Sequence, residues 1–154
     1  MYSVQDKFVN AYIMGAMSPT PKNYDLALLL AALADRTRLR LLNLMNGKEV
    51  CVCYFVEILG QSQPKISRHL AYLRRAGVVA ARREGKWMNY RIVPPSHAGA
   101  EKILRETLAV LRDEKAMQAD LARFTKACCA PRKGSALHGA PLPLSVDAAN
   151  ECSC

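Results

Sequence analysis

The chain has 154 residues, a formal net charge of +9, 51% hydrophobic and 23% charged residues, which suits one ordinary domain with extensions and excludes wholesale disorder. Its longest apolar run, residues 26–34, falls far short of the roughly 20 residues of a membrane span, and MYSVQDKF carries no secretory pattern, so a soluble cytoplasmic protein without membrane attachment is expected. The charge is local: Lys and Arg outnumber Asp and Glu by eight to one over residues 61–95, against six to five before and eight to seven after. Such a segment is the footprint of polyanion binding, a solvated surface being the plainer reading.

In chain order, Val4, Phe8, Tyr12 and Ile13 stand at helical spacing and predict a short helix over 4–17, ended by the linker Ser18-Pro19-Thr20-Pro21. YDLALLLAALAD predicts a helix that Asn23 or Asp25 can cap. DRTRLRLLNLMNG predicts a second, with Leu39, Leu41, Leu42 and Met45 on its apolar side and Asn46-Gly47 at its end. A short helix follows over 53–59, closed by Gly60. The next opens at Ser62, tolerates Pro64 in its first turn, turns Ile66, Leu70 and Leu73 inward and stops at Gly77.

Two helices joined by a few residues, the second amphipathic and basic, are a helix-turn-helix. VVAARREGKWMNYRIV then reads as strands over 78–83 and 87–93 around Glu84-Gly85-Lys86, a basic β-hairpin that makes a winged helix. After Pro94-Pro95 a single helix is expected over 97–124, with Ile103, Leu104, Leu108, Leu111, Met117, Leu121 and Phe124 on one face. That face is longer than a small winged domain can cover, so a second copy of the chain is its expected partner. The fold class is thus mainly α with a small β-hairpin wing, dimerising through terminal helices. The expected organisation is a dimerisation helix and linker at 1–22, the winged helix-turn-helix at 23–95, a C-terminal dimerisation helix at 96–126 and a flexible, Cys-containing tail at 127–154.

Outside the apolar stripe of the basic helix stand Gln63, Lys65, Ser67, Arg68, Tyr72 and Arg75. Gln pairs bidentately with adenine and Arg with guanine, so Gln63, Ser67 and Arg68 are candidate base readers of double-stranded operator DNA and Lys65 a mixed base and phosphate contact. His69 reads equally as a base contact or a packed histidine, and Arg74 and Arg75 also as solvated charges near the helix end. Arg83 and Lys86 flank the wing tip and are candidate phosphate or minor-groove contacts, while Trp87 and Tyr90 read as wing packing.

The six cysteines form three close pairs, Cys51 with Cys53, Cys128 with Cys129, and Cys152 with Cys154. In a cytosolic chain such pairs read as soft-metal or metalloid ligands, redox groups or small core residues rather than disulfides. No phosphate loop, nucleotide fingerprint or cysteine placed with a base points to an enzyme, and no resident cofactor is implied.

SQPKISRHLAYLRRAGVV, preceded by LADRTRLRLLNLM and followed by the basic hairpin, resembles the arsenic-responsive repressor family of winged-helix proteins over about residues 24–124. The resemblance implies a homodimer that holds an operator and releases it when a metal or metalloid binds. It also implies a sensor, since arsenic- and cadmium-sensing members carry Cys-Val-Cys at the start of the first helix of the DNA-binding pair, where this chain has Cys51 and Cys53. Two departures matter: Val56 stands where a third cysteine is common, and Tyr54 replaces an acidic residue. The inducer implied is As(III) or Sb(III), with a cadmium, lead or zinc sensor and a thiol-redox repressor as alternatives. A third thiolate is then needed from Cys128 or Cys129, of either subunit, or from Cys152 or Cys154, which a flexible tail spanning roughly 25–30 Å can deliver. The family's other metal sites use paired Asp, His and Glu on the long helix. Here only His97 and Glu101 are available, so a zinc or nickel site is not expected there. Residues two apart on a regular helix do not face each other, so joint ligation by Cys51 and Cys53 is expected to require distortion of the helix start.

Overall fold

The computed structural model describes residues 24–129 and 137–146. The helix expected over 4–17, its linker, and Cys152 and Cys154 lie outside the described residues.

Helix α1 spans Leu26–Leu33 and begins where the Asp25 carboxylate accepts the Leu28 N–H at 2.9 Å, a cap worth about 1 kcal/mol. Its last carbonyls are met by Arg38, whose Nε and Nη2 donate to Ala32 O and Ala31 O, each at 2.7 Å. Asp35 caps α2, Arg36–Met45, through the Arg38 N–H. The stripe expected on α2 widens here to Leu41, Leu42, Leu44 and Met45, all fully buried, because α4, α5, α6 and the sheet enclose it. Leu39 is only half-buried.

Before the next helix lies a strand that periodicity does not predict, β1 at Lys48–Cys51, too short for an alternating pattern to register. Helix α3, Val52–Leu59, ends at Gly60, whose φ of 61° is the left-handed conformation that glycine adopts without penalty. Helix α4, Gln63–Arg75, carries Pro64 in its first turn and buries Ile66, Leu70 and Leu73. The hairpin follows: β2, Val79–Glu84, and β3, Trp87–Ile92, pair antiparallel from Val79 opposite Ile92 to Glu84 opposite Trp87. This leaves Gly85-Lys86 as a two-residue turn, with Gly85 at φ 57° supplying the positive φ that such turns require.

The single helix expected over 97–124 is two helices, α5 at Ala98–Arg112 and α6 at Lys115–Cys129. Glu114 leaves the helical path: its carbonyl accepts the N–H groups of Met117 and Gln118 as α6 starts, and its carboxylate pairs with Arg36 at 2.7 Å. The sequence carries the reason. Leu111 and Met117 are six residues apart, about 120° out of phase on a continuous helix at 3.6 residues per turn, so one straight helix cannot bury both on one side. The break lets α6 fold onto α2 and α3 within the same chain. Phe124, fully buried, meets Tyr54 edge-on at 5.5 Å, and Asn43 Nδ2 donates to Met117 O at 3.1 Å. Fully buried Asp120 takes Arg40 bidentately at 2.6 and 2.8 Å and also binds Arg123. Burial pushes the Asp120 carboxyl up, but the two guanidiniums outweigh it and hold it below its ordinary range. Half of the apolar face expected to meet a second subunit is therefore satisfied internally.

Within the stretch expected to be a flexible tail, helix α6 runs through Cys129, and residues 137–146 return to the sheet. Leu137 and Ala140 are buried, and β4, Leu144–Ser145, pairs antiparallel with β1, placing Lys48 opposite Ser145 and Glu49 opposite Leu144. The sheet order is β2-β3-β1-β4. This is a mainly helical fold with a small antiparallel hairpin, a winged helix-turn-helix. Among the described residues no helix is long and apolar enough to cross a membrane.

Candidate nucleic-acid interface and thiol pair

Helix α4 buries one stripe and therefore presents the opposite one. Gln63, Lys65 and Arg68 are exposed along its N-terminal half, with Ser67 half-buried among them. This half carries no acidic residue, and the free N–H groups of a helix start add a site for phosphate. His69 and Tyr72 sit differently. The His69 Nδ1 lies 3.4 Å from Asp35 Oδ1, so the ring faces the cap of α2 and ties the two helices together. Tyr72 is clamped between the Arg38 and Arg75 guanidiniums, 4.4 and 4.7 Å from its ring centre. Arg38, which the sequence reading passed over, thus closes α1, leans on α4 and fixes the angle at which α4 is presented.

The wing carries its own cations. Exposed Arg83 donates from Nε to Gly85 O at 2.9 Å, which stiffens the turn, and Lys86 stands 4.9 Å over the Trp87 ring. Arg82 points the other way, onto buried Glu49 of β1 at 2.6 Å and Glu84 at 2.9 Å. Burying Glu49 is tolerable because Arg82 pairs with it closely and Arg91 stands 3.9 Å from its other oxygen.

Cys51 and Cys53 meet at the junction of β1 and α3. Cys51 is the last residue of β1 and the N-cap of α3, with extended backbone at φ −66° and ψ 141°. The expected distortion assumed that both cysteines lie within the helix, whereas Cys51 precedes it and the two sulfurs meet without any distortion of the ligand-free helix start. The i, i+2 restriction holds within a helix, whereas the cap residue lies outside it, and its side chain turns toward the first turn. The Cys53 Sγ–H donates to Cys51 Sγ at 2.7 Å. That hydrogen bond, working against burial, holds the Cys51 thiol down at about 7, as a helix N-terminus also favours a thiolate, while the same bond and burial push Cys53 up. The pair behaves as two sulfurs sharing one proton. Both are nearly enclosed, at 1% and 9% exposure.

Other candidate ligands are not gathered with them: among the described residues no group of three or more His, Cys, Asp or Glu side chains stands close enough to hold a metal ion. Cys128 is buried one turn beyond Phe124 on α6, but Cys129, expected as a free thiol, is disulfide-bonded, which corrects the reading of the cysteine pairs as free of disulfides and withdraws its sulfur from ligation while the bond lasts. His97 accepts the Gly99 N–H as cap of α5 and stacks on Tyr24 at 5.3 Å, a structural role.

Comparison with known proteins places this arrangement. Residues 35–81, from the cap of α2 into the wing, match the model of the bacterial regulatory protein, arsR family. The arsenical resistance operon repressor of Escherichia coli is 51% identical over 75 residues, 48% of this chain and 64% of that protein, so the match covers less than two thirds of the relative. The arsenic resistance transcriptional regulator ArsR2 of Pseudomonas putida is 44% identical over 78 residues, 50% of this chain and 68% of that one. Among solved structures, reduced HlyU from Vibrio cholerae overlays with a TM-score of 0.48 at 27% identity, across 72% of this chain and all of that one. On the family match over residues 35–81 and the relative covered over more than two thirds of its length, the chain belongs to the arsR family of winged helix-turn-helix transcriptional regulators.

Proposed function

We propose that the chain is a metalloid-responsive repressor that binds operator DNA as a homodimer and lets go when trivalent arsenic or antimony is taken by the thiolates of Cys51 and Cys53. The observation that carries this reading is the thiol pair, 2.7 Å apart at the head of the helix that packs on α4. Its donor set suits a soft, thiophilic ion: two buried sulfurs, one already inclined to lose its proton. An ion bonded to both sulfurs at about 2.3 Å, the usual zinc–thiolate length, holds them further apart than the 2.7 Å at which they stand, so occupancy requires the pair to open. The remaining ligand is proposed to come from Cys128 of either subunit or, once the disulfide at Cys129 is reduced, from Cys129, Cys152 or Cys154.

DNA binding is assigned to Gln63, Lys65, Ser67 and Arg68 on α4 and to Arg83 and Lys86 on the wing. His69 and Tyr72 take the part of residues that orient α4. What supports a dimer is a groove of about 680 Å³ between α1, α2 and α5, lined by Leu30, Leu33, Leu39, Ile103 and Val110. Leu30 and Val110 are 49% and 64% exposed, large apolar residues that a lone chain leaves in water. Two copies joined there would address successive major grooves about 34–36 Å apart.

The same sulfur spacing also favours a second reading, in which peroxide joins the two thiols as a disulfide and is itself reduced to water. One titration separates the two: anisotropy of a labelled operator fragment against arsenite, antimonite, cadmium and peroxide, with the wild type and the Cys51→Ser/Cys53→Ser variant. Release by arsenite or antimonite in the wild type alone is expected. Release by peroxide alone establishes the redox reading, and by cadmium alone the divalent-metal one. Undiminished arsenite release in the double variant sinks the assignment of the thiol pair.

A further inference from the structure

Cys51 belongs to two neighbourhoods. Through α3 it leads to α4 along a helix whose eight residues span about 12 Å at 1.5 Å each, and through an apolar core that includes Phe55, Ile58, Ile66 and Leu70. Through β1 it leads directly to the wing: Cys51 is the antiparallel partner of Asn89 on β3, and directly paired strand residues have Cα atoms only about 4.5–5.5 Å apart.

Asn89 is itself tied down. It is 4% exposed, and its Nδ2 donates to Glu84 Oε2 at 3.1 Å. Glu84 ends β2 beside the turn and pairs with Arg82, and Arg82 reaches back to Glu49 on β1, two residues before Cys51. Cys51, Asn89, Glu84, Arg82 and Glu49 thus close a ring across three strands. Side chains linked by directed hydrogen bonds and ion pairs transmit displacement with less slack than an apolar seam that can repack.

We propose that ligation of the thiol pair is read out through the wing, with Asn89 and Glu84 as the positioning residues that carry movement of Cys51 to Arg83 and Lys86. The inference rests on the reading of Cys51 and Cys53 as ligands. When the pair opens, the end of β1 shifts against β3, Asn89 pulls on Glu84, and the two-residue turn that sets the wing cations rotates with it.

Trp87, the chain's one tryptophan, opens β3 beside that turn and reports on it. The test follows Trp87 emission of the full-length protein, free of DNA, during arsenite addition, while protection of Cys51 and Cys53 from a thiol reagent measures binding separately. In the wild type emission changes in step with thiol protection. Glu84→Gln keeps an oxygen for the Asn89 amide and retains the change. Glu84→Ala and Asn89→Ala keep thiol protection, lose at least half of the emission change and show at least a fivefold smaller weakening of operator binding by arsenite. Protection and operator release with a silent Trp87, or full weakening in both alanine variants, overturns this inference and leaves the ligand reading standing. Failure of arsenite to protect the wild-type thiols overturns both.

Discussion

Phe124→Ala tests whether α6 belongs to the core of its own chain. Phe124 is fully buried, its ring meets Tyr54 edge-on at 5.5 Å and Lys48 Nζ lies 5.3 Å above it. Truncating a buried Phe to Ala costs about 3–5 kcal/mol from lost transfer energy and the cavity left behind. That range already includes an edge-on aromatic pair of about 0.5–1.5 kcal/mol. With the Arg40 and Asp120 pair still holding the other side of α6, partial collapse is opposed, and a loss of about 4 kcal/mol is expected. In urea, with a slope of about 2 kcal/mol/M, this moves the midpoint by about 2 M without changing the slope. Equilibrium unfolding followed by circular dichroism, at two protein concentrations fiftyfold apart, reads the shift. A continuous 97–124 helix serving only a partner subunit would give a different outcome, a loss confined to low concentration where the dimer dissociates. A loss below about 1 kcal/mol at both concentrations refutes the folded-back α6 and with it the support it lends to Tyr54 beside the thiol pair.

Three further outcomes follow from the same structure. Thiolate absorbance of the metal-free protein should rise with a midpoint near pH 7 from Cys51, well below its ordinary value of 9.0. Because that folded value is depressed, the stabilisation is complete above the unfolded value and is lost as pH falls toward 7, and Cys53→Ala, which removes the hydrogen bond, returns the midpoint upward. Arg68→Ala should cost about 1–3 kcal/mol at one operator position, whereas Lys65→Ala weakens all sequences alike and lowers the salt-dependence slope by about 1 per protomer; competition with mutated operators at several salt concentrations distinguishes base from phosphate contact. Val110→Glu, placing a charge on the exposed apolar groove, should shift the sedimenting species to monomer and weaken operator binding at least tenfold, and an unchanged dimer would move the interface elsewhere.

Much of this was legible in the chain because the signals are local. The α4 stripe of Ile66, Leu70 and Leu73 repeats at three and four residues, Asp25 and Asp35 stand where helices begin, and Gly85 sits where a two-residue turn needs positive φ. The split of the C-terminal helix was present too, in the six-residue step from Leu111 to Met117, but a pattern of threes and fours hides one phase error. The strand β1 was not legible, since four residues carry no period and their pairing partners lie about forty and about a hundred residues away. For the same reason, residues 137–146 read as tail although they complete the sheet.

The Cys-Val-Cys motif shows the division most clearly. Sequence alone determined that two cysteines lie two residues apart ahead of the basic helix, because residue type and order are one-dimensional facts. Only the tertiary structure decided that they face each other. Pairing of β1 with β3 holds Cys51 extended as the cap while Cys53 enters the helix, and that change of backbone direction turns a spacing that is unfavourable within a helix into a contact of 2.7 Å.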